Sequence, residues 1–204
     1  MEQHVYIFGA SGHAKVVLDV LFSQNIQVVA VLDDNPKVTE LLAIPVLLTS
    51  NFTMQTDSVF IVAVGDNAIR KKIANTHNFN YFTAVHAAAS VSRFATLGAG
   101  TVVMPQAVVN AESRIGNHCI LNSRSVVEHD CVLEDYVHIS PNASLAGNVS
   151  VGEGTHIGIG ASVIQGIKIG KWATIGAGAV IIEDVADYAV VVGNPGKVIK
   201  HHTP

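Results

Sequence analysis

Charge is scarce in this chain: of 204 residues only 14% are Asp, Glu, Lys or Arg, and they balance to −4. A weakly acidic protein has little electrostatic basis for gripping a phosphate backbone, so a nucleic-acid partner is not expected. Cysteine is scarcer still, and Cys119 and Cys131 alone cannot build a disulfide framework. They read as small buried thiols of a reducing compartment, not as a redox or metal pair. No apolar run is long enough to span a bilayer, and Met1 to His4 hold neither the basic nor the apolar region of a signal peptide. A cytoplasmic location is therefore expected. The 49% of hydrophobic residues suffices for a sizeable core.

What the chain has in quantity is aliphatic residues in strict order. Val, Leu or Ile occupies every sixth position from Val85 to Ile181 without exception. A helix repeats at about 3.6 residues and a flat strand at about 2, so a period of six requires a chain that turns after each short strand and stacks coil upon coil. The fourth residue after each aliphatic is usually small, as at Ala107, Ser113, Cys119, Ser125, Cys131 and Ala143, which suits a crowded corner. Glycine often follows the aliphatic directly, as at Gly98, Gly116 and Gly152, and is expected to supply backbone freedom at a sharp bend. This pattern resembles the hexapeptide-repeat acyltransferases, which implies triangular coils of three hexads wound as a left-handed parallel β-helix. The two cysteines then fall at different corners.

Residues 1–84 carry another signal. Val5 to Phe8 is a short apolar run, Gly9-Ala10-Ser11-Gly12-His13 a turn, and Val16, Val17, Val20 and Leu21 recur at helical spacing. Val28 to Leu32 and Ser58 to Val64 are further apolar runs, ending in Asp33-Asp34 and Gly65-Asp66, and Asn67 to Thr76 suits a helix. Alternating strands and helices predict a small Rossmann-like parallel α/β sheet over 1–84, ahead of a β-helix over 85–185 and a cap and tail over 186–204. In such a sheet ligands bind beyond the carboxyl ends of the strands, where helix-start N–H groups attract phosphate. The turn lacks the Gly-x-Gly-x-x-Gly spacing of dinucleotide enzymes, so NAD is not expected.

The glycine turn joined to the hexads resembles the sugar-nucleotide acetyltransferases that modify amino sugars or sialic acid. The resemblance implies that Gly9, Ser11, Gly12, His13 and Gly65 hold the nucleotide with an acidic residue at the end of the second strand, Asp33 or Asp34, and that Asn122 lies on the acceptor side. Acyl transfer from a thioester needs a base working near neutrality, and His129 is flanked by Glu128 and Asp130, either of which could orient its ring. The family's catalytic histidine is followed by an acidic residue, which implies His129 as base and Asp130 as partner, with Glu128 the alternative. Acetyl-CoA is implied against His138, Gly147 and Ile159, and past Ala177, Gly178, Asn194, Pro195 and Lys197 along the last coils. Gly147, one coil beyond His129, is expected to leave open space and to offer its N–H to the thioester carbonyl.

His138 precedes the inward Ile139 and should point outward, in a column with Val102, Ile120 and His156. With Val108, Val126 and Val132, these outward aliphatics read as subunit contacts, and the family is homotrimeric. His129 and His138 lie half a coil apart, so a site using both would sit between two subunits. His4, His77, His86, His118, His201 and His202 read as surface or fitted residues, and no metal site is expected. The expected activity is acetyl-CoA-dependent N-acetylation of a UDP-linked 4-amino-4,6-dideoxy sugar for a surface glycan. The alternatives are a sialic acid O-acetyltransferase and a non-catalytic sugar-nucleotide-binding or trimeric scaffold protein.

Overall fold

The computed structural model describes residues 4–77 and 79–203. Residues 1–3, 78 and 204, which belong to the expected N-terminal unit and tail, lie outside the described residues. The first unit runs β1 (His4–Phe8), α1 (Gly12–Phe22), β2 (Val28–Asp33), β3 (Glu40–Leu41), β4 (Ile44–Leu48), β5 (Ser58–Val62) and α2 (Asn67–Thr76). Its sheet has the order β3-β4-β2-β1-β5. Four strands are parallel, and β3 joins β4 as a small antiparallel hairpin. That hairpin escapes a reading for turn residues because Leu42 and Ala43 take its left-handed positions, at φ 49° and 64°, where Asn-Gly is the usual signal. One face of the sheet packs Val5, Ile7, Val31 and Ile61 on α1, and the other buries Tyr6, Phe8 and Phe60 beside Phe52 and Tyr81.

From Ala84–Val85 onward the chain is a parallel β-helix of two-residue strands on three faces. The first face stacks the strands at 84–85, 102–103, 120–121, 138–139, 156–157 and 174–175, the second runs from 90–91 to 180–181, and the third from 96–97 to 168–169. In each strand the second residue is the hexad aliphatic, and from Val103 to Ile181 all of these are buried in one core. The small residues fill the corners as expected. Thr101 and Ser113 there donate to the carbonyls of Gly116 and Glu128 at 2.8 and 2.7 Å. Cys119 and Cys131 do the same through sulfur, to Glu134 and Ala146 at 3.2 and 3.3 Å. Both thiols are free and buried, serving where other coils use a hydroxyl.

The glycines that follow the aliphatics have a different cause from the expected one. The left-handed residue lies two positions after each of these glycines, at His118 and Trp172 as well as at Gly100 and Gly154, so the glycine next to the aliphatic is not the one at positive φ. Gly98, Gly116 and Gly152 are instead required by contact between coils. A Cβ on Gly98 would stand 2.5 Å from the Gly116 backbone, and one on Gly152 would stand 2.6 Å from the Lys171 nitrogen.

The outward column on the first face is also corrected. Val102 and Ile120 do point away from the β-helix axis, yet each is only 1% exposed, because Ala14, Val17, Leu18 and Leu21 cover them from the chain's own first unit. They cannot be subunit contacts. A buried cation completes the seam. Arg70 on α2, 1% exposed, donates from Nε to the His118 carbonyl at 2.8 Å, from Nη2 to the Tyr136 carbonyl at 2.9 Å, and from Nη1 to the Val64 carbonyl at 3.0 Å. Asn67 accepts from Nη2 at 2.7 Å and itself donates to the Gly154 carbonyl at 3.0 Å. Burial brings the guanidinium down to about 10, so it stays charged at neutral pH.

Arg70→Ala leaves at least three buried carbonyls without a donor, and each such bond to a charged group is worth about 1.5–3 kcal/mol. We expect a loss of roughly 3 kcal/mol or more in urea unfolding, with little recovery in Arg70→Lys, whose ammonium cannot reproduce the planar fork. A loss within about 0.5 kcal/mol, as for an ordinary surface change, would show that the guanidinium does not hold the seam.

Candidate active site

Four groups of side chains gather at different places on the surface. The first lies at the strand ends of the α/β unit. Asp33 fixes the glycine turn, its two oxygens accepting the N–H groups of Ala10 and Asn35 at 2.8 Å each. Asp34 beside it is exposed. Gly9, at φ 103° and with a prospective Cβ 2.9 Å from Val64, is required by the fold. Gly12 and Gly65 are not, because a Cβ on either meets nothing within 4 Å. Ser11 caps α1 through its backbone position, while its hydroxyl makes no capping bond. The turn thus presents helix-start N–H groups over unfilled space, an arrangement that suits an anionic oxygen.

The second group lies at the corner between the second and third faces. His129 Nδ1 meets Asp130 Oδ2 at 2.7 Å, so the neighbouring carboxylate that engages the ring is Asp130. Both side chains are more than half exposed, at 62% and 57%. The ring lies over Gly147, where a Cβ would come within 2.7 Å of Nε2. The space expected at Gly147 is therefore taken by the imidazole of His129 itself. With Nδ1 held by a carboxylate, Nε2 is the nitrogen available to take a proton. A third corner, between the first and second faces, carries an exposed ridge of Ile159, Ala177 and Gly178, where the Gly178 N–H donates to the Ile159 carbonyl at 2.8 Å. The turn holding Asn194, Pro195 and Lys197 joins the antiparallel strands Ala189–Val192 and Lys197–His201 and is pinned to the last coil at Val180.

The remaining residues meet on the first face beneath α2, where a cleft of about 990 Å³ is lined by Gly65, Asp66, Asn67, His138, His156 and Trp172, among others. The structure brings His138 to Asn122, with 3.1 Å between Nε2 and Nδ2, and within 6.4 Å of His13 between ring centroids. His156 stacks on His138 at 4.7 Å. The α2 side of this cleft escapes sequence reasoning, although the signal was present in Asn67, Arg70 and Lys71 recurring on one flank of the helix. Lys71 pairs with Glu153 and lies 5.3 Å from the Trp172 ring. His118 is a fitted residue, stacked on Tyr136 at 5.2 Å.

Comparison with known proteins matches residues 4–77 to the PglD N-terminal domain, and residues 112–147 and 148–183 to the bacterial transferase hexapeptide with six repeats. The chain is 38% identical to PerB from Caulobacter crescentus, solved in complex with CoA and GDP-perosamine, with a TM-score of 0.89 over 98% of this chain and 99% of that one. It is 36% identical to the acetyltransferase domain of PglB from Neisseria gonorrhoeae in complex with acetyl coenzyme A, with a TM-score of 0.91 over 98% and 100% of the two chains. Among curated proteins, UDP-N-acetylbacillosamine N-acetyltransferase of Bacillus subtilis is 40% identical over 111 residues, 50% of this chain. The aligned stretches span 51% of that relative and 24% of an uncharacterised mimivirus protein. No described helix is long and apolar enough to cross a membrane.

The histidines at the seam give the fold a pH dependence. Burial first, and the Arg70 charge in addition, lower His13 and His118 to about 4; burial, then His156 and Arg70, bring His138 to about 3. The unfolded chain binds these protons near 6.5, so it holds more protons than the folded chain at any pH between the two values. The stability is complete above about 6.5 and falls as the pH drops toward the folded values, at up to about 1.4 kcal/mol per pH unit for each histidine kept neutral. Urea midpoints measured from about pH 7 down to about 5 should decline, and His118→Gln should reduce the slope. An unchanged slope in that variant would refute the assignment.

Proposed function

The chain belongs to the family of hexapeptide-repeat transferases with a PglD-type N-terminal domain that includes PerB of Caulobacter crescentus, and from that membership we propose that it is an acetyl-CoA-dependent N-acetyltransferase of a nucleotide-linked amino sugar. The observation that carries the reading is the His129–Asp130 contact at 2.7 Å, on an exposed corner with Nε2 left available. The acceptor amine attacks the thioester carbonyl and His129 Nε2 takes its proton, while Asp130 holds the ring and stabilises the imidazolium. The tetrahedral intermediate then collapses, the C–S bond breaks, and the proton passes to the departing CoA sulfur. Gly147 would seat the imidazole and offer its N–H to the oxyanion.

The acceptor is read as a UDP-linked 4-amino-4,6-dideoxy sugar, its nucleotide held at Ser11, Gly12, His13, Asp34 and Gly65. The B. subtilis relative is named for a UDP sugar, whereas PerB was solved with a GDP sugar. Comparing kcat/KM for UDP- and GDP-linked amino sugars as acceptors decides the nucleotide. The CoA arm is read along the Ile159, Ala177 and Gly178 ridge to Asn194, Pro195 and Lys197, with His138 near its acetyl end.

The assembly is read as a homotrimer, because His129 stands on the corner of the second and third faces whereas His138 stands on the first. The free second face supports this, its outward residues including Ser90, Val108, Val126, Ser144, Ser162 and Val180.

His129→Ala should lower kcat by ~10²–10⁴-fold, the usual contribution of a general base, and leave the fold intact. Near-normal turnover would remove the assignment. Reassembling His129→Ala chains with His138→Ala chains should restore some activity, since certain interfaces then pair both intact histidines. Verified mixed assemblies no more active than their parents would either place the site in one chain or leave His138 without a part in it. Gly12→Leu, tolerated by the fold, should raise the KM for the sugar nucleotide and spare acetyl-CoA binding; an equal effect on both ligands would count against a separate nucleotide site.

A further inference from the structure

The cleft of about 990 Å³ on the first face extends past His138 to Trp172, Thr174 and His202, none of which serves the proposed reaction. Its size is that of a small-ligand site. Trp172 is the only tryptophan of the chain, and it stands in a column of corner residues spaced one coil apart. Lower in that column the rings cover one another. His118 lies over Gly100, Tyr136 stacks on His118 at 5.2 Å, and Tyr81 closes on His118 at 4.4 Å. Gly154 interrupts the series. At φ 68° it leaves room for the indole of Trp172, which a Cβ there would meet at 2.5 Å. Lys71, held by Glu153, stands 5.3 Å from the same ring. The indole is thus backed by the preceding coil and half-buried in the cleft wall.

The polar groups of the cleft each keep an atom for a ligand. Asp66 accepts the Ile69 N–H at 2.8 Å through Oδ1, which leaves Oδ2. His156 meets Ser140 at 2.7 Å and His202 meets Thr174 at 2.9 Å, both through Nε2, which leaves their Nδ1 atoms.

Charge in the cleft selects against ions. Lys71 is neutralised by Glu153, burial and then the Arg70 charge hold His156 below its ordinary range, and Asp66 already caps the start of α2. An anion would meet the Asp66 carboxylate with no unpaired lysine or arginine lining the cleft, and a cation would find the indole already shared with Lys71. A pyranose ring suits these surroundings. Its C–H face covers an indole, and its hydroxyls both donate and accept, so they match a carboxylate, an imidazole and a threonine alike.

We propose that this end of the cleft is a second binding site, taking a neutral pyranose sugar whose C–H face lies on Trp172 and whose hydroxyls bond to Asp66, His156 and Thr174. These four residues belong neither to the glycine turn nor to the ridge of Ile159, Ala177 and Gly178. The site stands whether or not the chain acetylates an amino sugar.

Because Trp172 is the sole tryptophan, the intrinsic fluorescence of the full chain reports this site directly. Titration with N-acetylglucosamine or methyl glucoside should give a saturable change with a Kd of roughly 1 mM, the range that the usual efficiency per atom gives one sugar ring. Thr174→Val keeps the shape and removes the hydroxyl, and should weaken binding by about 3–10-fold, the worth of one neutral hydrogen bond. Trp172→Leu should abolish binding in ligand-observed NMR; if that variant does not fold, the native titration and Thr174→Val decide. A response that stays linear far above the expected Kd, or a Kd unchanged in Thr174→Val, overturns the proposal. Displacement of the sugar by UDP or by CoA also overturns it, since Trp172 would then belong to the acceptor or the coenzyme site. An active acetyltransferase whose Trp172 ignores neutral sugars keeps the transfer reading and loses this site, and a chain that binds sugar here without transferring acetyl does the reverse.

Discussion

Closing a coil after three short strands drives one side chain per strand into the axis, and the buried ladder from Val103 to Ile181 is what every other feature rests on. Branched aliphatics fill that axis at the density of a protein core, and small residues at the corners let the chain turn over them. Coils also approach so closely that Gly98 and Gly152 have backbone where a Cβ would be. A polar or bulky residue on the axis would be felt by the coils above and below, because each strand pairs only with its neighbours in the stack. A scaffold of this rigidity can hold His129, Asp130 and Gly147 in fixed register through the pairing of adjacent coils, as where the Asn148 N–H donates to the His129 carbonyl at 2.9 Å.

The second determinant is the cation at the seam. Arg70 lies buried among carbonyls with no carboxylate among its hydrogen-bond partners, an arrangement that leaves positive potential around His13, His118 and His138. Protonating those rings would add charge to a place already desolvated around a guanidinium, so they stay neutral well below the ordinary histidine range. Neutral rings can present an N–H or a lone pair as their partners dictate, and this is why the neighbour of each histidine matters more here than its exposure.

Function on this framework depends on bringing together groups that one chain keeps apart. The glycine turn and His138 share the seam, whereas His129 occupies another corner across a filled axis. The unequal faces of the β-helix bear on this. The first is covered by the chain's own α/β unit and the third carries Arg114 and Lys168, while outward residues of the second face are uncharged.

The sequence by itself determined the β-helix, since a period of six aliphatics admits no other regular packing, and it determined α2 to the residue, because Gly65-Asp66 and the loss of apolar periodicity bracket Asn67–Thr76. It also made the histidine with adjacent acids legible. Only the tertiary structure decided that Asp130 engages His129, that the imidazole occupies the space above Gly147, and that Val102, Ile120 and His138 face the chain's own α1 and α2. The reason is physical. A repeat fixes which side chains point in and which point out, but what covers an outward face is settled by the packing of a separate unit, and the Leu42-Ala43 turn, the Arg70 seam and the Asn122–His138 contact all arise from contacts that no local periodicity encodes.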